Sequence, residues 1–175
     1  TQEPSLQINE QESLAQIQFE KPGDSPTVMV ADDNETVLEL LTDFLESKQY
    51  RVIRAHSGDE LLSKVAEICP DLILMDIQMP IMDGLETTKK IREMRDPAKS
   101  RVPVIALTAN TGRQAHKQLM SLGMNDWVVK PFKEETLYRK LAMHIIGKDW
   151  ISESMKKRKF PIRKKPNVLT NELLY

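Results

Sequence analysis

Five polar residues stand where short apolar runs of this sequence end. They are three aspartates, one threonine and one lysine: Asp32, Asp33, Asp76, Thr108 and Lys130. If the runs are parallel strands of one open sheet, their carboxyl ends meet at a single edge, and such sheets bind ligands at that edge. The residue types and their spacing therefore predict one acidic site with a hydroxyl and an ammonium group beside it.

Three carboxylates gathered at one edge repel each other. At about 5 Å and an effective dielectric of about 20, two unit charges interact by roughly 3 kcal/mol. A hard divalent cation relieves this repulsion, and carboxylates with waters and a carbonyl oxygen suit Mg²⁺ better than a softer metal. We therefore expect Mg²⁺ as the cofactor of this site.

The same groups suit phosphoryl chemistry. Mg²⁺ opposite an ammonium group makes a binding site for a phosphoryl group, whose transfer depends on positioning and charge neutralisation. A carboxylate can act as the nucleophile and become an acyl phosphate. Phosphoryl transfer to an aspartate is therefore a reaction that these residues allow.

The elements that would position the five residues alternate along the chain. Apolar runs typical of buried strands cover residues 27–31, 71–75, 102–107 and 127–129, and a more polar run at 51–55 indicates an edge strand. Helical periods of apolar residues lie between and after them, and glycines predict the ends of the last two helices at Gly123 and Gly147. Five strands alternating with five helices predict an α/β fold with a doubly wound parallel sheet.

Four segments in this order and spacing resemble the receiver domain of response regulators in two-component signalling. They are the pair Asp32-Asp33, the segment 71–84, the strand 103–109 and the triplet Lys130-Pro131-Phe132. The likeness covers roughly residues 26–148 and is greatest to receivers fused to hybrid histidine kinases. It implies a flavodoxin-like sheet of strand order 2-1-3-4-5 with five helices, and a cis peptide bond before Pro131.

The resemblance implies a magnesium site. Asp33 and Asp76 would bind the ion directly, Asp32 would act through a water molecule, and the backbone carbonyl of Gln78 would be a further ligand. These four residues are the metal-binding residues that we expect.

The resemblance also implies the phosphoryl chemistry and the switch. Asp76 would accept the phosphoryl group, and Thr108 and Lys130 would contact its oxygens. Trp127 occupies the position of the family's switch aromatic, whose ring turns inward when the Thr108 hydroxyl moves toward the phosphate. The face formed by the fourth helix, fifth strand and fifth helix would then shift between two populated conformations.

The implied partners follow from that chemistry. The phosphoryl donor would be a phosphohistidine on a histidine kinase or on a histidine phosphotransfer protein. The domain itself would not be a conventional enzyme, although it would allow self-dephosphorylation, and the parent chain could be a hybrid histidine kinase. The residues leave a homodimer open.

Composition limits the other classes of function. The 175 residues carry a net charge of −1, which excludes proteins dominated by one sign of charge, such as nucleic-acid wrappers. The single cysteine, Cys69, excludes an internal disulfide and a cysteine-cluster zinc site. No apolar run approaches the roughly 18 residues of a membrane span. We therefore expect a cytoplasmic protein with no membrane span, and the start at Thr1 rather than methionine indicates a processed or excised product.

The small net charge conceals three regions. Residues 1–26 form an acidic leader or linker of charge −4, residues 27–148 form the receiver domain, and residues 149–175 form a basic C-terminal tail of charge +4. The breaker cluster 22–26 marks the first boundary. The tail includes seven basic residues among the ten at 156–165. We interpret it as a solvated tail, with nucleic acid, an anionic membrane or an acidic partner surface as alternatives.

Three other functions fit less well. A phosphohydrolase with an aspartyl phosphate needs a second acid two residues after the nucleophile, where this chain has Gln78. A dinucleotide-binding domain needs a glycine-rich first turn, where this chain has the residues 32–35, Asp-Asp-Asn-Glu. A DNA-binding output domain does not fit in the 27 residues after Lys148, so nucleic acid is not an expected partner. The remaining alternative is a receiver-like module that binds a partner or associates with nucleic acid through the basic tail, with phosphorylation in a secondary role.

Overall fold

The computed structural model describes the backbone of residues 25–157 and the side chains of residues 25–145. The strands are β1 (Thr27–Ala31), β2 (Arg51–Ala55), β3 (Leu72–Asp76), β4 (Val104–Thr108) and β5 (Asp126–Val129). The helices are α1 (Glu35–Ser47), α2 (Gly58–Glu67), α3 (Gly84–Arg92), α4 (Pro97–Ser100), α5 (Arg113–Ser121) and α6 (Glu134–Lys157). The acidic leader up to residue 24 and the side chains of the basic run 156–165 lie outside the described residues.

The five strands form one parallel sheet in the order β2-β1-β3-β4-β5. This confirms the predicted order 2-1-3-4-5. In the register, Asp76 at the end of β3 lies opposite Leu107, and Thr108 at the end of β4 lies opposite Val129. The carboxyl ends of the central strands therefore form one edge of the sheet.

Helices cover both faces of the sheet, and each face has its own apolar core. On one face, α1 and α6 pack through residues such as Leu41 and Leu141 against alternate strand residues such as Leu74. On the other face, α2, α3 and α5 pack against the intervening strand residues, with Ile91 and Met75 among the fully buried side chains. Strands β1, β3 and β4 are buried along their whole length, as their continuous apolar runs predict.

The helices next to the acidic edge begin at capping residues. The side chain of Asn34 accepts hydrogen bonds from the backbone N–H groups of Thr36 and Val37 at the start of α1. Asp83 caps α3 by accepting from the N–H of Glu86 at 2.8 Å. These bonds satisfy N–H groups that have no partner within the helix. Because Asn34 caps α1, the neighbouring Asp33 is not needed for that purpose.

Two details of the helices differ from the sequence prediction. The structure has a sixth, four-residue helix, α4, which begins at a cap formed by Asp96 with Pro97 at the first helical position. Its single turn is too short to produce a helical period in the sequence. The last helix also continues past Gly147 to Lys157, so the predicted end at Gly147 is wrong. One glycine costs a helix only about 1 kcal/mol relative to alanine, which does not by itself stop it.

The long helix α6 raises the question of a membrane span. Within the part of the chain that the structure describes, no helix combines the length and the apolar character that crossing a bilayer requires.

Candidate metal and phosphoryl site

Backbone hydrogen bonds continue past the strand ends and hold the site residues in place. The N–H of Asp32 donates to the carbonyl of Ala55 at 3.1 Å, and the N–H of Lys130 donates to the carbonyl of Thr108 at 2.7 Å. Asp76 is itself the last residue of β3. The sheet therefore positions these side chains directly, with no flexible loop between strand and site.

Lys130 lies between two buried carboxylates. Its Nζ is 3.1 Å from Oδ2 of Asp32 and 3.2 Å from Oδ1 of Asp76. The side chains of Asp32 and Asp76 are 1% and 8% exposed, whereas that of Lys130 is 28% exposed. The ammonium group thus partly neutralises two carboxylates that have little access to water, and Lys130 itself lines the cleft.

The three aspartates form one cluster. Carboxylate oxygens of Asp32, Asp33 and Asp76 lie within 4.8 Å of one another, with Asp33 exposed and the other two buried. An oxygen-only donor set of this kind fits a hard cation such as Mg²⁺, which prefers carboxylate and water ligands. One lysine against three carboxylates also leaves an excess of negative charge that a divalent cation would offset. The residues present therefore fit the implied metal.

The electrostatics of the cluster change the pKa of Asp76. Burial and the neighbouring charge of Asp32 raise the pKa of the Asp76 carboxyl, although Lys130 and the N–H of Gln78 oppose the rise. Burial acts in the opposite direction on Lys130, yet Asp76 and Asp32 together raise the pKa of its ammonium group above the ordinary value. The lysine is therefore held in its charged form, and Asp76 is the carboxylate whose ionisation is disfavoured without a further cation.

A tight turn after β3 completes the site. The N–H of Gln78 donates to Oδ1 of Asp76 at 3.2 Å, and the N–H of Gly84 donates to the carbonyl of Ile77 at 3.1 Å. The backbone at Gly84 is so close to β3 that an added Cβ would lie 2.3 Å from the carbonyl oxygen of Asp76. A glycine at this position lets α3 begin against the strand that carries Asp76.

Thr108 stands on the other side of Asp76, at the end of β4. Its hydroxyl oxygen accepts a hydrogen bond from the N–H of Asn110 at 3.1 Å, and Thr108 is 6% exposed. The peptide bond between Lys130 and Pro131 is cis, as the resemblance implies. Thr108 ends β4 and Lys130 follows the last residue of β5, so the two residues lie at the ends of adjacent strands beside the carboxylate cluster.

A single cleft contains most of the predicted site. It is lined by all six residues assigned to metal or phosphoryl chemistry: Asp32, Asp33, Asp76, Gln78, Thr108 and Lys130. Trp127 does not line the cleft. Its ring is half-buried and stacks on His116 of α5, with the ring centroids 4.3 Å apart.

Sequence reasoning missed the contact of His116 with Trp127. The histidine lies eleven residues before the tryptophan, and no periodicity or motif relates the two positions. Only the packing of α5 beside β5 brings their rings together. The helical period of α5 places His116 three residues before the buried Leu119, and this was the one available sign that it faces inward.

Fold and site together define a doubly wound α/β domain with an acidic cleft at the switch point of its sheet. A model of the response regulator receiver domain matches residues 28–142. The chain therefore belongs to the response regulator receiver family.

Relatives of the chain include receivers of histidine kinases. The chain is 34% identical over 137 residues to the CAI-1 autoinducer sensor kinase/phosphatase CqsS of Vibrio cholerae. The matched stretch covers 76% of this chain and 20% of CqsS. It is 37% identical over 121 residues to the signal transduction histidine-protein kinase BarA of Escherichia coli. This match covers 69% of this chain and 13% of BarA. The predicted likeness to hybrid-kinase receivers is confirmed, and the chain spans a fifth or less of these two proteins.

Solved structures show the same fold. The receiver domain of the sensor histidine kinase PA1611 from Pseudomonas aeruginosa has a TM-score of 0.62 and 32% identity, covers 73% of this chain and 98% of that one, and has a magnesium ion coordinated in its active site cleft. A chain of the Saccharomyces cerevisiae complex between the phosphotransfer protein Ypd1 and the Ssk1 receiver domain has a TM-score of 0.63 and 26% identity, over 67% of this chain and 87% of that one.

Proposed function

We propose that this receiver domain accepts a phosphoryl group on the carboxylate of Asp76 from a phosphohistidine, in a reaction that requires Mg²⁺. The observation that carries the proposal is the arrangement of Asp76 against Lys130 and Asp32 at the carboxyl edge of the sheet. It combines a nucleophile, a fixed positive charge and further oxygen ligands in one cleft.

The reaction balances without another reactant. A carboxylate oxygen of Asp76 attacks the phosphorus atom, the bond between phosphorus and the imidazole nitrogen of the donor breaks, and its electron pair stays on that nitrogen. Among the described residues, the contacts of the Asp76 carboxylate with Lys130 and Gln78 go to Oδ1. Oδ2 is therefore the oxygen that we assign as the nucleophile.

Positive charge and donors surround the incoming group. Asp32, Asp33, Asp76 and the backbone carbonyl of Gln78 would hold Mg²⁺, whose charge offsets the repulsion between the carboxylates and the phosphoryl oxygens. The ammonium group of Lys130 donates to a phosphoryl oxygen from the open side of the site. The hydroxyl of Thr108 keeps a proton to donate, since its oxygen is the acceptor in the bond from Asn110.

The proposed donor is a histidine kinase or a histidine phosphotransfer protein. The co-crystal structure of Ypd1 with the Ssk1 receiver supports the second class, and the kinases among the relatives support the first. The predicted fourth and fifth helices are α5 and α6 of the structure, because the short helix α4 precedes them. Phosphorylation would shift the surface formed by α5, β5 and α6, called the output face below, between two conformations. Trp127 lies in this face, on β5.

The proposal is tested by phosphate uptake. With Mg²⁺ and a small acyl phosphate donor, we expect one phosphate on the wild-type chain by intact mass spectrometry and none on the Asp76→Asn variant, because an amide is not a nucleophile. The matched control is Asp83→Asn in the same turn, where asparagine caps a helix about as well as aspartate. Equal uptake by Asp76→Asn and the wild type would overturn the site assignment.

The identity of the donor needs its own assay. Purified phosphorylated histidine kinases and phosphotransfer proteins are mixed with the domain in Mg²⁺, and transfer is followed on both proteins. A physiological donor should transfer at least tenfold faster to the wild type than unrelated phosphohistidine proteins do. Uptake from an acyl phosphate with no transfer from any phosphohistidine protein would support the site and contradict the proposed donor class.

A further inference from the structure

We propose that His116 is a positioning residue that couples the phosphoryl site to the output face by linking the backbone after Thr108 to the ring of Trp127. The proposal rests on the proposed function for its biological meaning. It concerns contacts outside the cleft, however, and these can be tested separately.

The first part of the link joins the cleft to His116. The N–H of Asn110 donates to the hydroxyl oxygen of Thr108 at 3.1 Å. The carbonyl oxygen of the same asparagine is 2.9 Å from Nε2 of His116. A carbonyl oxygen only accepts, so Nε2 carries the proton and donates it. One residue, Asn110, thus contacts the cleft hydroxyl through its N–H group and His116 through its carbonyl.

The asparagine also fixes the start of α5. Its side-chain oxygen accepts a hydrogen bond from the N–H of Gly112 at 2.8 Å, and Gly112 is the cap residue of α5. No side-chain cap holds this helix start in any other way. A movement of the backbone at Asn110 therefore acts on the first turn of α5 and on the His116 ring together.

The second part of the link joins His116 to the output face. The rings of His116 and Trp127 are stacked with an interplanar angle of 22°. From α6, Nζ of Lys140 lies 5.1 Å from the centre of the same tryptophan ring and donates to the backbone carbonyl of Trp127. Trp127 therefore contacts α5 through His116 and α6 through Lys140.

These contacts predict how a movement of the Thr108 hydroxyl would reach the ring of Trp127. If the Thr108 hydroxyl moves toward a phosphoryl oxygen, the bond from Asn110 must stretch or carry the backbone with it. The His116 ring then loses its acceptor or moves across the face of Trp127. Contiguous contacts alone do not demonstrate coupling, so the test must measure how a change at Thr108 affects Trp127 with and without the link.

The experiment uses the indole N–H resonance of Trp127 in two-dimensional NMR, in a Trp150→Phe background that leaves one tryptophan. Thr108→Val removes the hydroxyl that Asn110 contacts, and we expect it to shift the Trp127 resonance. His116→Phe keeps an aromatic ring for stacking but removes the Nε2 donor. In the His116→Phe background, the shift caused by Thr108→Val should fall by at least twofold.

The matched control is Lys117→Ala, an exposed neighbour of His116 on the same helix. In this background the effect of Thr108→Val should keep its full size. The coupling would be overturned if Thr108→Val shifted the Trp127 resonance equally in the His116→Phe background. It would also be overturned if Thr108→Val caused no shift when His116 is present. Neither measurement needs phosphate.

A second readout separates this inference from the proposed function. His116→Phe should take up phosphate on Asp76 within about twofold of the wild type, while the Trp127 response to Mg²⁺ with beryllium fluoride, a phosphoryl mimic, falls at least twofold. If the wild type takes up no phosphate, the proposed function fails and the Thr108→Val comparison still decides the coupling. If uptake is normal and the response is unchanged in His116→Phe, only the coupling fails.

Discussion

At the scale of single residues, the site depends on one lysine between two buried carboxylates. Asp32 and Asp76 contact the Lys130 ammonium group at 3.1 and 3.2 Å, at the long end of the hydrogen-bonding range. The lysine cannot neutralise both carboxylates and Asp33 as well. The raised pKa of Asp76, caused by burial and by Asp32, reflects this unfavourable concentration of negative charge. The same imbalance makes the cluster suitable for a divalent cation.

Gly84 is a second residue with a specific geometric requirement. A Cβ there would lie 2.3 Å from the carbonyl oxygen of Asp76, 2.9 Å from Cγ of Met75 and 3.0 Å from Cα of Ile77. Two of these three atoms belong to the backbone, which cannot yield as a flexible side chain does. The close approach of the α3 backbone to β3 therefore explains why the segment Met82-Asp83-Gly84 ends in a glycine.

We predict that Gly84→Ala lowers the free energy of unfolding by about 1–3 kcal/mol, a typical cost of overpacking. It should also slow phosphate uptake, because the displaced backbone is that of the phosphoacceptor. Urea denaturation and the uptake assay measure the two effects. The control is Lys117→Ala on the exposed surface of α5, which should change neither quantity. Unchanged stability and uptake in Gly84→Ala would show that α3 can move away from β3 without cost.

At the scale of elements, a polar cluster joins β5 to α6. The carboxylate of Asp126 accepts hydrogen bonds from Nζ of Lys140 and the N–H of Trp127, each at 2.8 Å, and pairs with Nε2 of His144 at 3.0 Å. Burial acts to raise the pKa of Asp126, but the bonds from His144 and Lys140 outweigh it and lower the pKa below the ordinary value. The cluster therefore stabilises the packing of the last helix at the output face.

This lowered pKa predicts a dependence of stability on pH. A carboxyl whose folded-state pKa is depressed contributes stability above its unfolded pKa, and loses that contribution as the pH falls through the folded pKa. Asp126→Asn should therefore cost about 1–3 kcal/mol of unfolding free energy near pH 6, and this cost should decrease as the pH is lowered from 6 to 3. Urea denaturation across this range measures the difference.

The control for the pH series is Asp43→Asn on the exposed surface of α1, which should show a small effect at every pH. A cost of Asp126→Asn that stays constant between pH 6 and pH 3 would contradict the role of the carboxylate charge. It would leave a hydrogen-bonding role of the side-chain oxygen as the explanation.

Another set of contacts joins the end of α3 to two stretches of chain, 100–102 and 123–125, through Arg92. Its guanidinium group donates to the carbonyls of Gly123, Ser100 and Val102 and to the side chain of Asn125 at 2.7–2.9 Å. Burial lowers the pKa of this arginine. These bonds tie the end of α3 to the segments that precede β4 and β5, at the opposite edge of the sheet from the acidic cleft.

At the scale of the whole molecule, folding brings three carboxylates to one edge of the sheet, and their mutual repulsion opposes it. A ligand that binds the folded state alone stabilises it by RT ln(1 + [L]/Kd), or about 1.4 kcal/mol at tenfold excess over Kd. The unfolded chain does not hold Asp32, Asp33 and Asp76 together, so Mg²⁺ should act in this way. The two cores on either side of the sheet transmit that stabilisation to the entire domain.

We therefore predict that Mg²⁺ raises the thermal midpoint of unfolding by several degrees and that a chelator reverses the rise. Asp33→Asn should reduce the Mg²⁺-dependent part at least twofold, because it removes an exposed ligand and leaves the Lys130 contacts in place. Asp43→Asn should keep the full response. Scanning calorimetry with and without Mg²⁺ provides the measurement, and an equal response in Asp33→Asn would contradict its place among the ligands.

The sequence by itself determined the sheet and most of the cleft. Continuous apolar runs at 27–31, 71–75 and 102–107 specify strands buried on both faces, and parallel strands bring their carboxyl ends together whatever the side-chain details. Asp76 and Thr108 could therefore be assigned to one edge before any contact was known. The helix pattern was sufficient for the long helices but not for α4, whose four residues are shorter than one hydrophobic period.

Only the tertiary structure decided how the site is connected to the rest of the domain. The contact of His116 with Trp127, and the bonds of Arg92 to the stretches 100–102 and 123–125, depend on the packing of helices against strands. Local patterns report which face of an element is apolar, but they do not report which side chains on two packed elements meet. The continuation of α6 past Gly147 has a related cause, since one glycine carries too small a free-energy penalty to determine a helix end.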